Sequence, residues 1–241
     1  MTIKTSNFLL IVLYVLSIFI QNTQAQTDVR SGSFAYPSIM QKKEYKHELS
    51  LLLAKLPEES IEEVSNWIYA PLFIYNAKYG LAKGFNLNGI ITTNIITFQF
   101  RGGAQWQYEL NKVSFAAGFD AAYWFGKLKH FGFNSTAKGW QNYPYLAFGI
   151  AFDKFTVTAK SEFNFMLYMK ESADDIETST DKNIFNGFLF SIMIEQPLWK
   201  DHYMSIGFNF NYTKIYWPSW AVFPSWDRYI FVPEVLIGFV L

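Results

Sequence analysis

Residues 155–169 read FTVTAKSEFNFMLYM, an aromatic-rich run that alternates in type and carries Lys160 and Glu162 near its middle. A bare charge in hydrocarbon costs several kcal/mol or more, so a membrane-crossing reading needs a second, polar environment on one side of the strand. Alternation supplies it. Phe155, Val157, Ala159, Ser161, Phe163, Phe165 and Leu167 fall on one face, and Thr156, Thr158, Lys160, Glu162 and Asn164 on the other. If the first face meets lipid and the second a lumen, neither charge touches hydrocarbon.

The same period of two recurs over long stretches, which marks strands. In 113–126, VSFAAGFDAAYWFG, the residues Val113, Phe115, Ala117, Phe119, Ala121, Tyr123 and Phe125 oppose Ser114, Ala116, Gly118, Asp120, Ala122, Trp124 and Gly126. Residues 96–109 place Thr97, Gln99, Arg101, Gly103, Gln105, Gln107 and Glu109 on a polar face, and 202–216 set Met204, Ile206, Phe208 and Phe210 against Ser205, Gly207, Asn209 and Asn211. A solvated sheet surface would be crowded with Lys and Glu. These polar faces are mostly Gly, Ala, Ser, Thr, Asn and Gln, which suit the cramped interior of a narrow barrel.

Composition agrees. Of the 241 residues 20% are aromatic and only 17% charged, against about 25% charged in ordinary soluble domains. Basic and acidic residues balance at 20 each, which removes the electrostatic case for nucleic acid. Cysteine is absent, which excludes disulfides, thiolate metal sites and a lipidated N-terminal Cys.

The first residues carry Lys4, then an apolar core from Phe8 to Ile20, then Thr23-Gln24-Ala25. That is the pattern of a secretory signal peptide over 1–25, too short for an ordinary spanning helix. Residues 26–46 have no period and read as a flexible lead-in, followed by a barrel domain over 47–241.

Strands are expected near 47–56, 70–79, 85–93, 96–109, 113–126, 142–152, 155–169, 183–198, 202–216 and 228–241. Ten is the count, with eight as the alternative, because 58–68 has a helical character and the first strand is weak. Tight turns (Asn111-Lys112, Asp153-Lys154, Trp199 to Asp201) alternate with longer polar stretches at 127–141, 170–182 and 217–227. Short turns on one side and long loops on the other are how outer-membrane barrels are built. Pro71, Pro144, Pro197 and Pro233 are placed near strand ends, where a missing N–H is tolerated. Aromatic girdles are read at Trp106 and Tyr108, Tyr123 to Phe125, Tyr143 and Tyr145, Trp199 and Tyr203, and Tyr216 and Trp217. The fold class is thus all-β, an antiparallel up-and-down transmembrane barrel.

With its signal peptide, hairpin series and terminal IGFVL, the chain resembles the small outer-membrane β-barrel proteins of Gram-negative bacteria. The QNTQAQ junction and the aromatic richness resemble those of the Bacteroidetes group. The resemblance covers 47–241 and is architectural, tied to no motif of a characterised member. It implies an outer-membrane location among lipids and lipopolysaccharide, after signal-dependent export. It also implies insertion by the barrel assembly machinery, with Phe239 and Leu241 approximating the signal in the last strand, although the usual final aromatic is absent.

Candidate site residues follow from the faces. Arg101, Asp120, Lys160, Glu162, Glu195 and Glu234 project inward, and buried charges need partners, so a lumenal ion network is expected. It forms either a selectivity ring or a salt-bridged filling, and the narrow bore favours the filling. Since Arg101 and Lys160 are outnumbered, a net acidic interior is expected. Hydrolytic barrels need a His beside a Ser or Asp near the outer rim, and His130, with Ser135 nearby in sequence and Asp174-Asp175 in the next loop, is the one candidate. A solvated loop histidine is the plainer reading. Asp174 and Asp175 also begin an acidic stretch that lacks the Gly-spaced Ca²⁺ loop. The repeated Pro-Ser-Trp at 218–220 and 224–226 presents Trp220 and Trp226 either for recognition or as an extra girdle. No cofactor, metal site or nucleic-acid partner is indicated. The reading is a non-enzymatic structural or narrow-conduit barrel, with a hydrolase using His130 or a small porin-like channel as alternatives.

Overall fold

The computed structural model describes residues 29–57, 68–130, 133–174, 176–199, 202–221 and 228–241, with backbone alone for Ile68, His130 and Phe133. Ten antiparallel strands close into one barrel: β1 (Tyr45–Leu56), β2 (Ile68–Ala82), β3 (Phe85–Thr93), β4 (Thr97–Leu110), β5 (Val113–His130), β6 (Phe133–Ala151), β7 (Thr156–Ala173), β8 (Ile176–Trp199), β9 (His202–Thr213) and β10 (Ile230–Val240). Each pairs with its sequence neighbours, and β1 closes on β10 through Glu48↔Val240 to Ala54↔Glu234. The first strand is present, so ten holds and eight does not. The signal segment 1–25 lies outside the described residues, as does the helical stretch near 58–68 apart from Ile68, which opens β2.

The wall has the chemistry the alternation demands. Phe100, Phe115, Phe119, Leu146, Phe163 and Phe165 stand exposed on the outside, while Thr97, Gln99, Ser114, Asp120, Thr158 and Glu162 are buried within. Such a continuous outward apolar surface is a lipid-facing one. Among the described residues no helix is long and apolar enough to cross a membrane.

Four expectations are corrected. The stretches 127–141 and 170–182 are not open loops. β5 and β6 pair out to His130↔Phe133, and β7 and β8 out to Ala173↔Ile176, as tall hairpins. Their polar residues had hidden strands that stand clear of the lipid, where a polar outer face costs nothing. Pro144 is consequently mid-strand, paired with Phe119 on one side, and the β6–β7 ladder skips from Asn142↔Phe165 to Tyr145↔Glu162 around it. Half of the supposed girdle points inward: Trp124, Tyr143, Tyr145, Tyr203, Tyr216 and Trp217 are buried, whereas Trp106, Tyr108, Phe125 and Trp199 face out. Finally, the lead-in from Val29 onward is packed chain, and β1 begins at Tyr45.

Two irregularities shape the interior. Leu167 is an extra residue in β7, since Gln141 pairs with Met166 and Trp140 with Tyr168, and this turns Met169 inward against the usual parity. Asn186 is an extra residue in β8, between Asn164↔Gly187 and Phe165↔Phe185. Gly187 there has φ +147, a backbone region that side chains rarely adopt.

Cysteines placed at Phe163 and Phe165 should resist a charged maleimide in intact membranes, while one at the hairpin tip, Asp174→Cys, should react. Labelling of the two phenylalanine positions at the tip's rate would show a solvated sheet instead.

Candidate functional site

The lumen is organised around Arg101 on β4. Its guanidinium donates from Nε to Asp120 Oδ2 on β5 at 2.8 Å, and from Nη1 and Nη2 to the two carboxylate oxygens of Glu162 on β7 at 3.0 and 2.8 Å. The Glu162 arm is a two-point fork that fixes direction as well as distance. Lys160 also pairs with Glu162 and lies 4.0 Å over the ring of Tyr145. Arg101 stacks over Tyr143 at 4.2 Å. Two cations and two carboxylates from three strands thus cancel within one cross-lumen cluster. Asp120 approaches because its neighbour is Gly103, where a Cβ would lie 2.1 Å from Asp120 Oδ1.

Glu195 and Glu234, expected in the same network, are elsewhere. Glu195 accepts three successive backbone N–H groups of the N-terminal segment: Phe34 at 2.7 Å, Ala35 at 3.0 Å and Tyr36 at 3.0 Å. It therefore anchors peptide, not Arg101 or Lys160. Glu234 accepts from Tyr216 Oη and Asn209 Nδ2, both at 2.9 Å. Three further lumenal charges come from the first two strands, Lys46, Glu48 and Lys78. Lys46 and Glu48 share the parity of Ser50 on β1, which the strand's weakness and its run of leucines disguised. With these included the acidic excess shrinks from two charges to one, five carboxylates against four cations.

The N-terminal segment closes the end of the barrel that holds the tight turns. A single helical turn, α1 (Val29–Gly32), leads into chain that lies inside the wall. Tyr36 is buried, its ring against Gly149, where a Cβ would come within 2.7 Å. Lys46 donates to the carbonyls of Ser31 and Ser33, and Lys78 donates to Phe34 O at 2.5 Å with its ammonium 4.6 Å from the Phe34 ring. Arg30 bridges Glu109 at 2.9 Å and the Asn111 carbonyl at 2.8 Å. No periodicity could have located this segment, because it is held through its own backbone groups by Glu195, Lys46 and Lys78.

At the opposite end the β9–β10 connection folds inward. Asn186, freed by its bulge, accepts from Ile215 N–H at 2.7 Å and donates to Ile215 O at 3.0 Å, steering the chain leaving β9 into the lumen. A 3-10 turn at Trp217–Ser219 follows. Trp220 is only 6% exposed and donates from Nε1 to Thr97 Oγ1 at 3.0 Å, over Gly126. This corrects the surface role expected of Trp220; its Pro-Ser-Trp is a stopper. Trp226 lies outside the described residues.

His130 closes β5 at the tip of the β5–β6 hairpin, its side chain outside those described. Asp174 is exposed at the neighbouring tip, where its Oδ1 accepts from Asn134 N–H at 3.2 Å, and Asp175 lies outside the described residues. On the same hairpin, well clear of the lipid, Lys170 holds the Glu177 carboxyl below the usual carboxylate range. Phe239 and Leu241 are exposed at the end of β10. Among the described residues no three acidic or imidazole side chains converge as a metal site.

Between the two stoppers remains a chamber of about 260 Å³. Its polar side is the Arg101 cluster and Lys78, and its apolar side includes Leu52, Leu72, Leu189, Met193 and Leu236.

No family model matches the chain, and no curated relative matches it. Solved structures do. The chain is similar to the Ralstonia pickettii toluene transporter TbuX at 8% identity, covering 93% of this chain and 76% of that one, with TM-score 0.41. It is similar to Neisserial surface protein A at 8% identity, covering 82% and 96%, TM-score 0.32. It is also similar to CdiB from Acinetobacter baumannii at 9% identity and TM-score 0.33, covering 71% of this chain but only 32% of CdiB. Identities this low speak to fold alone.

Glu162→Gln should leave Lys160 without a counter-charge and Arg101 with Asp120 only, at a cost of about 3–5 kcal/mol for breaking a buried pair. The urea midpoint of the refolded protein measures it. Glu195→Gln should lower that midpoint less, and should instead expose the 29–44 segment to added protease.

Proposed function

We propose that the chain is an outer-membrane barrel that is shut at rest, a narrow conduit stoppered from both ends and without catalytic activity. The observation that carries this reading is the manner in which the N-terminal segment is held. One carboxylate, Glu195, and two ammonium groups, Lys46 and Lys78, bind its backbone N–H and carbonyl groups. Such bonds are each worth about 1.5–3 kcal/mol, and they act beside a small apolar contact of Val29 and Phe34 with Tyr203 and Val240. The wall closes on itself without this segment, β1 on β10, so its departure would leave the ladder intact.

Export through the signal segment, residence among lipopolysaccharide and insertion through a last strand bearing Phe239 and Leu241 belong to the same proposal. Recognition by the tall β5–β6 and β7–β8 hairpins, which carry His130, Asp174 and Asp175, belongs to it too.

Planar-bilayer recording tests the reading. The intact protein should pass little or no current, and a variant lacking both residues 29–44 and the inward turn 217–220 should open and prefer cations. Large, stable conductance of the intact protein would favour a porin-like role. A lipase or protease activity that vanishes on replacing His130 would overturn the non-enzymatic reading.

A further inference from the structure

The chamber between the stoppers has an unbalanced lining. Lys78, Arg101 and Lys160 face Glu48, Asp120, Glu162 and Glu234, three cations against four carboxylates. The cations are already engaged: Arg101 with Asp120 and Glu162, Lys160 with Glu162, and Lys78 with the Phe34 carbonyl and ring. Two carboxylates are left to neutral donors. Glu48 is held by Ser205 Oγ and by Asn76 Nδ2 at 2.9 Å. Glu234 is held by Tyr216 Oη and Asn209 Nδ2. Counted with Lys78, which touches no carboxylate, the lining is still one cation short, a deficit that an added cation would cancel.

Beside Glu234 the chamber is lined by Tyr216, Trp217, Leu52 and Leu236. A carboxylate set against aromatic rings and aliphatic side chains is the arrangement that recognises an ammonium group carrying an apolar body. We infer that the chamber is a binding site for a small primary or quaternary amine with a short alkyl or arylalkyl body. Its charged end lies toward Glu234 and its body against the leucines. The volume of about 260 Å³ restricts the body to a short one. This site does not depend on whether the barrel conducts, since a closed barrel can hold such a molecule as well as an open one.

The test uses the full mature protein refolded in detergent, with 1-hexylammonium, 1-hexanol and hexanoate as isosteric probes, followed by calorimetry and by thermal unfolding. Hexylammonium should bind at least tenfold tighter than hexanol and should raise the unfolding temperature, and hexanoate should do neither. Glu234→Gln keeps the size of the side chain while removing its charge and should cut hexylammonium affinity at least tenfold. Leu189→Trp fills the chamber from a different strand and should abolish binding in a protein that keeps its heat-modifiable gel migration, so the test stands even if the first variant fails to fold. Equal binding of hexanol would mean that the chamber reads only apolar bulk. A preference for hexanoate would mean that the lysines dominate. Absence of all binding would mean that it holds water alone. Each of these three results would overturn the assignment.

Discussion

The middle of this barrel is organised by the fork between Arg101 and Glu162. A closed sheet in lipid has one side on which a charge can survive, and that side is a bore barely wider than its own side chains. An arginine placed there must find carboxylates within its reach. Arg101 finds one on the adjacent strand and another across the lumen. The pairing ties β4, β5 and β7 together through the interior, in addition to the backbone ladder around the wall. It also sets where aromatic rings stack, with Tyr143 against Arg101 and Tyr145 against Lys160.

Glycines in the wall are the counterpart of this crowding. Their inward positions are filled by specific groups from elsewhere in the chain: Asp120 at Gly103, Tyr145 at Gly118, Tyr36 at Gly149 and Trp220 at Gly126. The last two are the docking points of the two stoppers. Room was not left for a pore. It was left for other parts of the same molecule, and only the middle of the bore is not filled by the chain itself.

Strand number, closure and facing were legible because period two is a local property written into every strand, as in 113–126 and 155–169. The individual inward charges on β4, β5 and β7 were legible for the same reason. What was not legible depends on contacts distant in sequence. Glu195 is inward by parity, yet nothing nearby shows that it accepts backbone groups 159 to 161 residues away. Trp220 looked exposed because Pro-Ser-Trp is a loop composition. Only the Asn186 clamp, itself the product of a bulge, carries it inside. Polar sequence at 127–141 and 170–182 misled for a physical reason: above the lipid a strand no longer has to be apolar on its outer face.

Those tall hairpins change the topology of the sheet along its height. Within the membrane the sheet is a cylinder with no margins. Beyond Gly126↔Thr97 on one flank and Gly187↔Thr213 on the other, β5 to β8 continue as a four-stranded open sheet. Along 176–184 the outer flank of β8 has no ladder partner among the described residues. Unpaired strand flanks are adhesive, and natural sheets blunt them with charge and short polar side chains. This flank reads IETSTDKNI, with Glu177, Asp181 and Lys182 spaced along it. The molecule therefore presents to its surroundings a soluble kind of surface grafted on a membrane cylinder, and its solubility rules differ from those of the wall below.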